Sequence, residues 1–152
     1  MSEPRLSVIT TVLNNKETLE ACILSVNAQT YPNVEYIVVD GGSTDGSIDV
    51  IRKHSNKIDF WISEPDSGIY NAINKGLAYS SGDFYLFLGS DDLLLPNALE
   101  ILYRALGNKL VVQGLSYKLV AGNVSLVRAH SSSTLISMAA HKKFGLYDES
   151  FR

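Results

Sequence analysis

The sequence predicts an α/β fold, a Rossmann-like, mostly parallel sheet flanked by helices, with a small antiparallel C-terminal part. Three observations carry that expectation. Strand-like runs that are apolar nearly throughout alternate with amphipathic helical segments. A polar or glycine-rich loop marks each changeover, and beyond Gly107 the alternation gives way to two adjacent β-rich runs. Strands apolar on both faces must be covered on both faces, which a parallel sheet between helical layers provides.

The first run, Leu6 to Leu13 (LSVITTVL), is short and rich in β-branched residues. After the polar Asn14-Asn15-Lys16-Glu17, apolar residues recur at Leu19, Ile23 and Val26 with helical spacing. Val34 to Asp40 (VEYIVVD) is a second strand, and Gly41 to Gly46 turns the chain into a helix carrying Ile48, Val50 and Ile51. Asp59 to Glu64 is a third strand and Ile69 to Tyr79 a third helix. Asp83 to Gly89 reads as a fourth strand buried on both faces, and Pro96 opens a helix with Leu99, Leu102, Tyr103 and Leu106 along one side. Leu110 to Leu119 and Val124 to Ala129 read as a hairpin or two neighbouring strands. Leu135 to Phe144 is expected to be a helix ended by Gly145.

A chain of 152 residues, 45% of them hydrophobic, can bury one core, so a single domain over residues 1–152 is expected. The net charge of −3 and the lack of a Lys/Arg cluster argue against nucleic acid as a partner. No apolar stretch approaches the roughly 18 residues of a membrane span. The first residues lack the pattern of a signal peptide, and the expected location is the cytoplasm. The single cysteine, Cys22, falls on the apolar side of the first helix and reads as a core thiol.

In an open parallel sheet, ligands bind beyond the carboxyl ends of the strands. That rule selects Thr10-Thr11-Val12-Leu13-Asn14, Asp40-Gly41-Gly42-Ser43, Glu64-Pro65-Asp66-Ser67-Gly68 and Gly89-Ser90-Asp91-Asp92. Adjacent carboxylates after an apolar strand repel one another unless a cation or strong donors offset them, and hard oxygen ligands suit Mg²⁺ or Mn²⁺. Such an ion could bridge the phosphates of a nucleoside diphosphate. Equally, Asp91 or Asp92 could cap the helix that begins near Pro96. Asp40 could face a base or ribose, or hold the Gly41-Gly42 turn. Ser43, Thr44 and Asp45 read as turn and cap residues.

Asn71, Asn74 and Lys75 lie on the helix beside the third loop. Lys75 reads as solvated unless its face meets a phosphate, whereas Asn74 reads as a ligand contact. His54 and His141 are expected on the surface, while His130, before Ser131-Ser132-Ser133, faces either ligand or solvent. Neither GxGxxG nor a Walker A sequence is present.

Taken in order, Gln29-Thr30-Tyr31-Pro32, Gly42-Ser43-Thr44-Asp45-Gly46, Asn74-Lys75-Gly76 and Ser90-Asp91-Asp92 resemble the family-two glycosyltransferases with the GT-A nucleotide-sugar-binding fold, over nearly the whole chain. The resemblance implies inverting transfer from a nucleoside-diphosphate sugar to a saccharide or lipid-linked acceptor. Under it Asp92 is the metal ligand, and Thr10, Thr11, Asn14, Asp40, Asp66, Asn71, Asn74, Lys75, Ser90, Asp91 and His130 are donor-binding. The wording EPDSGIYNAINKG and VDGG is most like members that build bacterial polysaccharides. Peripheral association with the inner membrane face is compatible with that role.

Asp40-Gly41 stands where members often carry Asp-Asp, and Leu13 where an aromatic near the base is common. Both leave the base of the donor open. The family's general base comes from a segment after the position of Arg152, so the domain is expected to be incomplete at its C-terminus. A donor-binding fragment without turnover is the alternative reading. A nucleotidyltransferase is disfavoured because no Gly-rich, Arg/Lys-containing loop follows Leu6 to Leu13.

Overall fold

A computed structural model of the protein describes residues 3–114, 116–120, 123–127 and 133–150. Four parallel strands, β1 (Leu6–Val12), β2 (Val34–Asp40), β3 (Phe60–Ser63) and β4 (Phe84–Gly89), are joined through α1 (Lys16–Asn27), α2 (Ser47–Lys53) and α3 (Ile69–Tyr79). After α4 (Ala98–Leu106) come β5 (Val111–Gln113), the hairpin strands β6 (Ser116–Val120) and β7 (Asn123–Val127), β8 (Thr134–Ser137) and α5 (Met138–Phe144). The main sheet runs β3-β2-β1-β4-β8-β5, and β6-β7 form a separate antiparallel pair. β8 lies antiparallel to both β4 and β5. The expected mostly parallel sheet with an antiparallel C-terminal part is therefore present.

Two layers of apolar side chains cover the sheet. On one face Leu6, Val8, Val38, Leu86 and Leu88 pack with Leu19, Cys22 and Ile23 of α1, Ile51 of α2 and Leu99, Leu102 and Leu106 of α4. On the other, Ile9, Ile37 and Val39 meet Ala72, Ile73 and Leu77 of α3. Such strands lose the polar/apolar alternation that would announce their faces. Gly76 lets α3 approach β1, since a β-carbon there would stand 2.4 Å from Ile9 Cγ2. At the far end of the sheet the buried Glu35 ties β2 to the β1 and β4 strand ends. It accepts from Ser7 Oγ at 2.5 Å, Ser81 N at 2.8 Å and Ser81 Oγ at 2.7 Å, and lies 3.5 Å from Arg5 Nη2.

Several expectations are corrected. Residues 135–137, read as the start of a helix, belong to strand β8, because Leu135, Ile136 and Ser137 take register opposite Leu86, Tyr85 and Phe84. The helix begins at Met138, where the Ser137 hydroxyl accepts from Ala139 N at 3.1 Å as an N-cap. The helix expected to open at Pro96 starts instead at Ala98, and the Pro96 carbonyl accepts from Thr30 N. β4 is not buried on both faces throughout, since Phe84, Phe87 and Gly89 are partly exposed. His54 is buried rather than on the surface. Packing of α2 against α1 brings its Nε2 within 2.8 Å of Glu20 Oε1, which also pairs with Lys53. His141 is half-buried, edge-on to Tyr85.

Candidate active site

The strand order reverses direction between β1 and β4, where an open α/β sheet leaves a crevice. A cleft of about 440 Å³ opens there, lined at the end of β1 by Thr11 and Leu13, at the entry to α3 by Asp66 and Ile69, and in the loop after β4 by Asp91 and Asp92. The carboxylates of Asp91 and Asp92 converge over Gly89. A β-carbon at that position would lie 2.9 Å from Asp91 Oδ1 and 3.1 Å from Asp92 Oδ2. Neither aspartate caps α4, whose N-cap is Asn97.

Helix α1 holds this acidic loop from below. Asn15 Nδ2 donates to Ser90 Oγ at 2.9 Å, Thr18 Oγ1 donates to the Ser90 carbonyl at 2.9 Å, and Cys22 Sγ donates to the Gly89 carbonyl at 3.5 Å. One turn further, Ser25 Oγ accepts from Leu94 N at 3.1 Å. Burial pushes the Cys22 thiol up to about 11, and the nearby Asp92 and Asp91 charges push in the same direction. It stays a neutral core donor. Asn15, Thr18 and Ser25 were not singled out in the sequence, although their spacing of three and seven residues places them along one side of α1.

Asp40 is fully buried and serves the turn. Its Oδ2 accepts from Gly42 N at 3.1 Å, Ser43 N at 3.0 Å and Ser63 Oγ at 2.6 Å. Its Oδ1 has no hydrogen-bond partner among the described residues, which is costly for a buried acceptor. The turn and ligand readings of Asp40 thus concern different oxygens. Above it, Asp66 leans over Gly41, so that a β-carbon at position 41 would stand 2.4 Å from Asp66 Oδ2. Asp66 Oδ1 accepts from Gly68 N at 2.9 Å.

Of the residues expected to bind a donor, Thr11, Asp66, Ser90 and Asp91 come together at the cleft, with Asp92, the expected metal ligand, beside them. Thr10 does not. Successive strand side chains face opposite ways, and Thr10 is buried towards α1, accepting from the Tyr36 hydroxyl at 3.2 Å with Cys22 Sγ 3.8 Å away. Asn14, with φ of 50°, accepts from Thr44 N at 2.8 Å, and its own N–H donates to Ser43 Oγ, so both side chains shape the loop. Asp45 likewise accepts from Lys16 N and Ser47 N.

Asn71, Asn74 and Lys75 are absent from the cleft lining. Asn74 binds the Tyr147 backbone in both directions, accepting from its N–H at 3.0 Å and donating to its carbonyl at 2.9 Å. Asn71 and Asn74 each donate to Glu149 at 2.9 Å. Those bonds, with the charge of Lys75, hold the Glu149 carboxyl below its ordinary range. Lys75 is not solvated, because it is paired at 2.8 Å with Glu64 and donates to the Pro65 carbonyl at 3.0 Å. His130 lies outside the described residues.

The family described as "Glycosyl transferase family 2" matches residues 7–148. The chain belongs to glycosyltransferase family 2. This family-two chain is 42% identical over 92 residues to an uncharacterized glycosyltransferase of Mycobacterium tuberculosis, a match covering 60% of this chain and 35% of that one. Its fold is that of GT-A glycosyltransferases. It superposes with a TM-score of 0.81 on the Staphylococcus aureus TarS 1–349 structure in complex with UDP, at 21% identity, covering 96% of this chain and 51% of that one. With the mannosyltransferase PcManGT from Pyrobaculum calidifontis in complex with GDP-Man and Mn²⁺, the TM-score is 0.82 at 18% identity, covering 97% and 48%. The family-two chain thus spans about a third to a half of the length of these proteins.

The donor set fits a small divalent ion. Among the described residues no group of three or more His, Cys, Asp or Glu side chains forms a cage. Two carboxylates converging over a glycine are what Mg²⁺ or Mn²⁺ uses when substrate phosphates and water complete the shell.

Proposed function

We infer that the protein transfers a sugar, with inversion, from a nucleoside-diphosphate sugar to a saccharide or lipid-linked acceptor in polysaccharide biosynthesis. The observation that carries this reading is the convergence of Asp91 and Asp92 over Gly89 at the mouth of the switch-point cleft. Asp92 and Asp91 would hold Mg²⁺ or Mn²⁺, which when bound supplies positive charge to a leaving diphosphate. Gly68 and Ile69, at the N-terminal end of α3, line the same cleft, so the positive end of the helix favours an anion there, although the Gly68 N–H is itself held by Asp66.

Thr11, Ser90 and Asp66 are the remaining polar donor contacts. Asp40 Oδ1, buried without a hydrogen-bond partner among the described residues, would accept an N–H or O–H of the nucleoside were the turn to open. UDP in TarS and GDP-Man with Mn²⁺ in PcManGT support a nucleotide sugar as the donor class. The test is consumption of UDP- and GDP-sugars with Mn²⁺, with and without saccharide acceptors. Acceptor-dependent release of the diphosphate supports the reading, and binding without release makes the protein a donor-binding module.

A further inference from the structure

Beside the acidic cleft, and sharing Ile69 and Phe87 with it, lies a second cavity of about 260 Å³. Its wall continues with Tyr70 and Ile73 of α3, Tyr85 of β4, Ile136 of β8 and Tyr147. We propose that this cavity is a subsite for an aryl group carried by the acceptor, which orients the acceptor's hydroxyl towards the Asp91-Asp92 end of the cleft.

Three observations select that occupant. Tyr70, Tyr85, Phe87 and Tyr147 make the lining rich in aromatic rings, and those of Tyr70 and Tyr147 are held against each other in a stack, with centroids 5.8 Å apart and planes 21° from parallel. The hydroxyls carried by the lining are largely engaged with protein. Those of Tyr85 and Tyr147 lie 3.2 Å apart, and Thr134 Oγ1 accepts from Gln113 Nε2 at 3.0 Å. A bare sugar ring carries several hydroxyls and would lose hydrogen bonds on entering such a wall, whereas a planar apolar group would not. Finally, the shared Ile69-Phe87 wall sets the cavity directly beside the cleft, within reach of a substituent on a group anchored there. The Asn74 clamp on the Tyr147 backbone fixes the ring that closes the cavity.

This proposal rests on the sugar-transfer reading, and its test separates the two. Methyl signals of Ile73 and Ile136 are followed by NMR while para-nitrophenyl glucoside, methyl glucoside and octyl glucoside are titrated in turn. Binding of UDP and GDP with Mn²⁺ is read separately at Ala72 and Thr11. The expected result is that para-nitrophenyl glucoside shifts Ile73 and Ile136 while methyl glucoside does not. Tyr70→Ala weakens that binding by on the order of tenfold, and Tyr70→Phe keeps it. Nucleotide binding is unchanged in both variants, and Tyr70→Phe melts with the wild type, whereas Tyr70→Ala melts lower because it removes a ring packed against the α3 layer. Equal or stronger binding of octyl glucoside overturns the aryl assignment in favour of an alkyl chain. No shift with any probe overturns the subsite while leaving the nucleotide readout to judge the donor site.

Discussion

Asp66 occupies the space that a side chain at Gly41 would need: its Oδ2 lies 2.4 Å from where a β-carbon on Gly41 would stand. A carboxylate thus reaches the end of β2 from the α3 side. Gly41→Ala is expected to push Asp66 aside. Nucleotide affinity should fall by about tenfold, at a stability cost of ~1 kcal/mol because a half-exposed carboxylate can move. Calorimetric titration of UDP and GDP alongside thermal unfolding checks both effects. Unchanged affinity for both nucleotides would remove Asp66 from the donor contacts.

Gly76 tests the packing of α3 on the sheet. Alanine is the better helix former by about 1 kcal/mol, so helix propensity alone predicts that Gly76→Ala stabilises. The β-carbon, however, would stand 2.4 Å from Ile9 Cγ2, inside a packed layer. Overpacking should win, and the variant should lose ~1–3 kcal/mol in urea unfolding.

Glu35 sets an acid limit. Burial alone would raise its carboxyl, but the bonds from Ser7 and Ser81 and the Arg5 charge outweigh that and hold it below the ordinary carboxylate range. A folded pKa below the unfolded one contributes stability above the unfolded value, and that contribution is lost as pH falls through the folded pKa. Glu35→Gln should therefore melt below the wild type at about pH 7, and the gap should narrow as the pH falls below the ordinary carboxylate range. A gap independent of pH would mean that shape rather than charge holds this end of the sheet.

The acidic loop was legible in the sequence because Asp91 and Asp92 follow an apolar strand directly, although only the structure, with Asn97 as the N-cap of α4, sets aside the capping alternative. So was the order of strands and helices through α4, since each changeover carries a polar or glycine-rich loop. Less legible was the choice between Thr10 and Thr11, because a strand buried on both faces has no alternation to show which hydroxyl meets the cleft. Asn74 read as a ligand contact because an exposed helix face and one that docks the backbone at Tyr147 look alike until residues 73 positions apart are brought together. The burial of His54 and the approach of Asp66 to Gly41 are likewise tertiary. β8 was read as helix because Leu135 to Phe144 spans a strand and a helix with no break stronger than Ser137 between them.

The central claim is that Asp92 holds a divalent ion that binds a nucleoside diphosphate. Titrating UDP and GDP into wild type and Asp92→Ala, each with Mn²⁺ and with chelator, tests it most directly. At least one nucleotide should bind the wild type more tightly with Mn²⁺ by tenfold or more, about 1.4 kcal/mol. Asp92→Ala should lose that gain while unfolding at the same temperature as the wild type without nucleotide. Binding that ignores Mn²⁺, or an Asp92→Ala variant that keeps the full metal effect, would contradict the account.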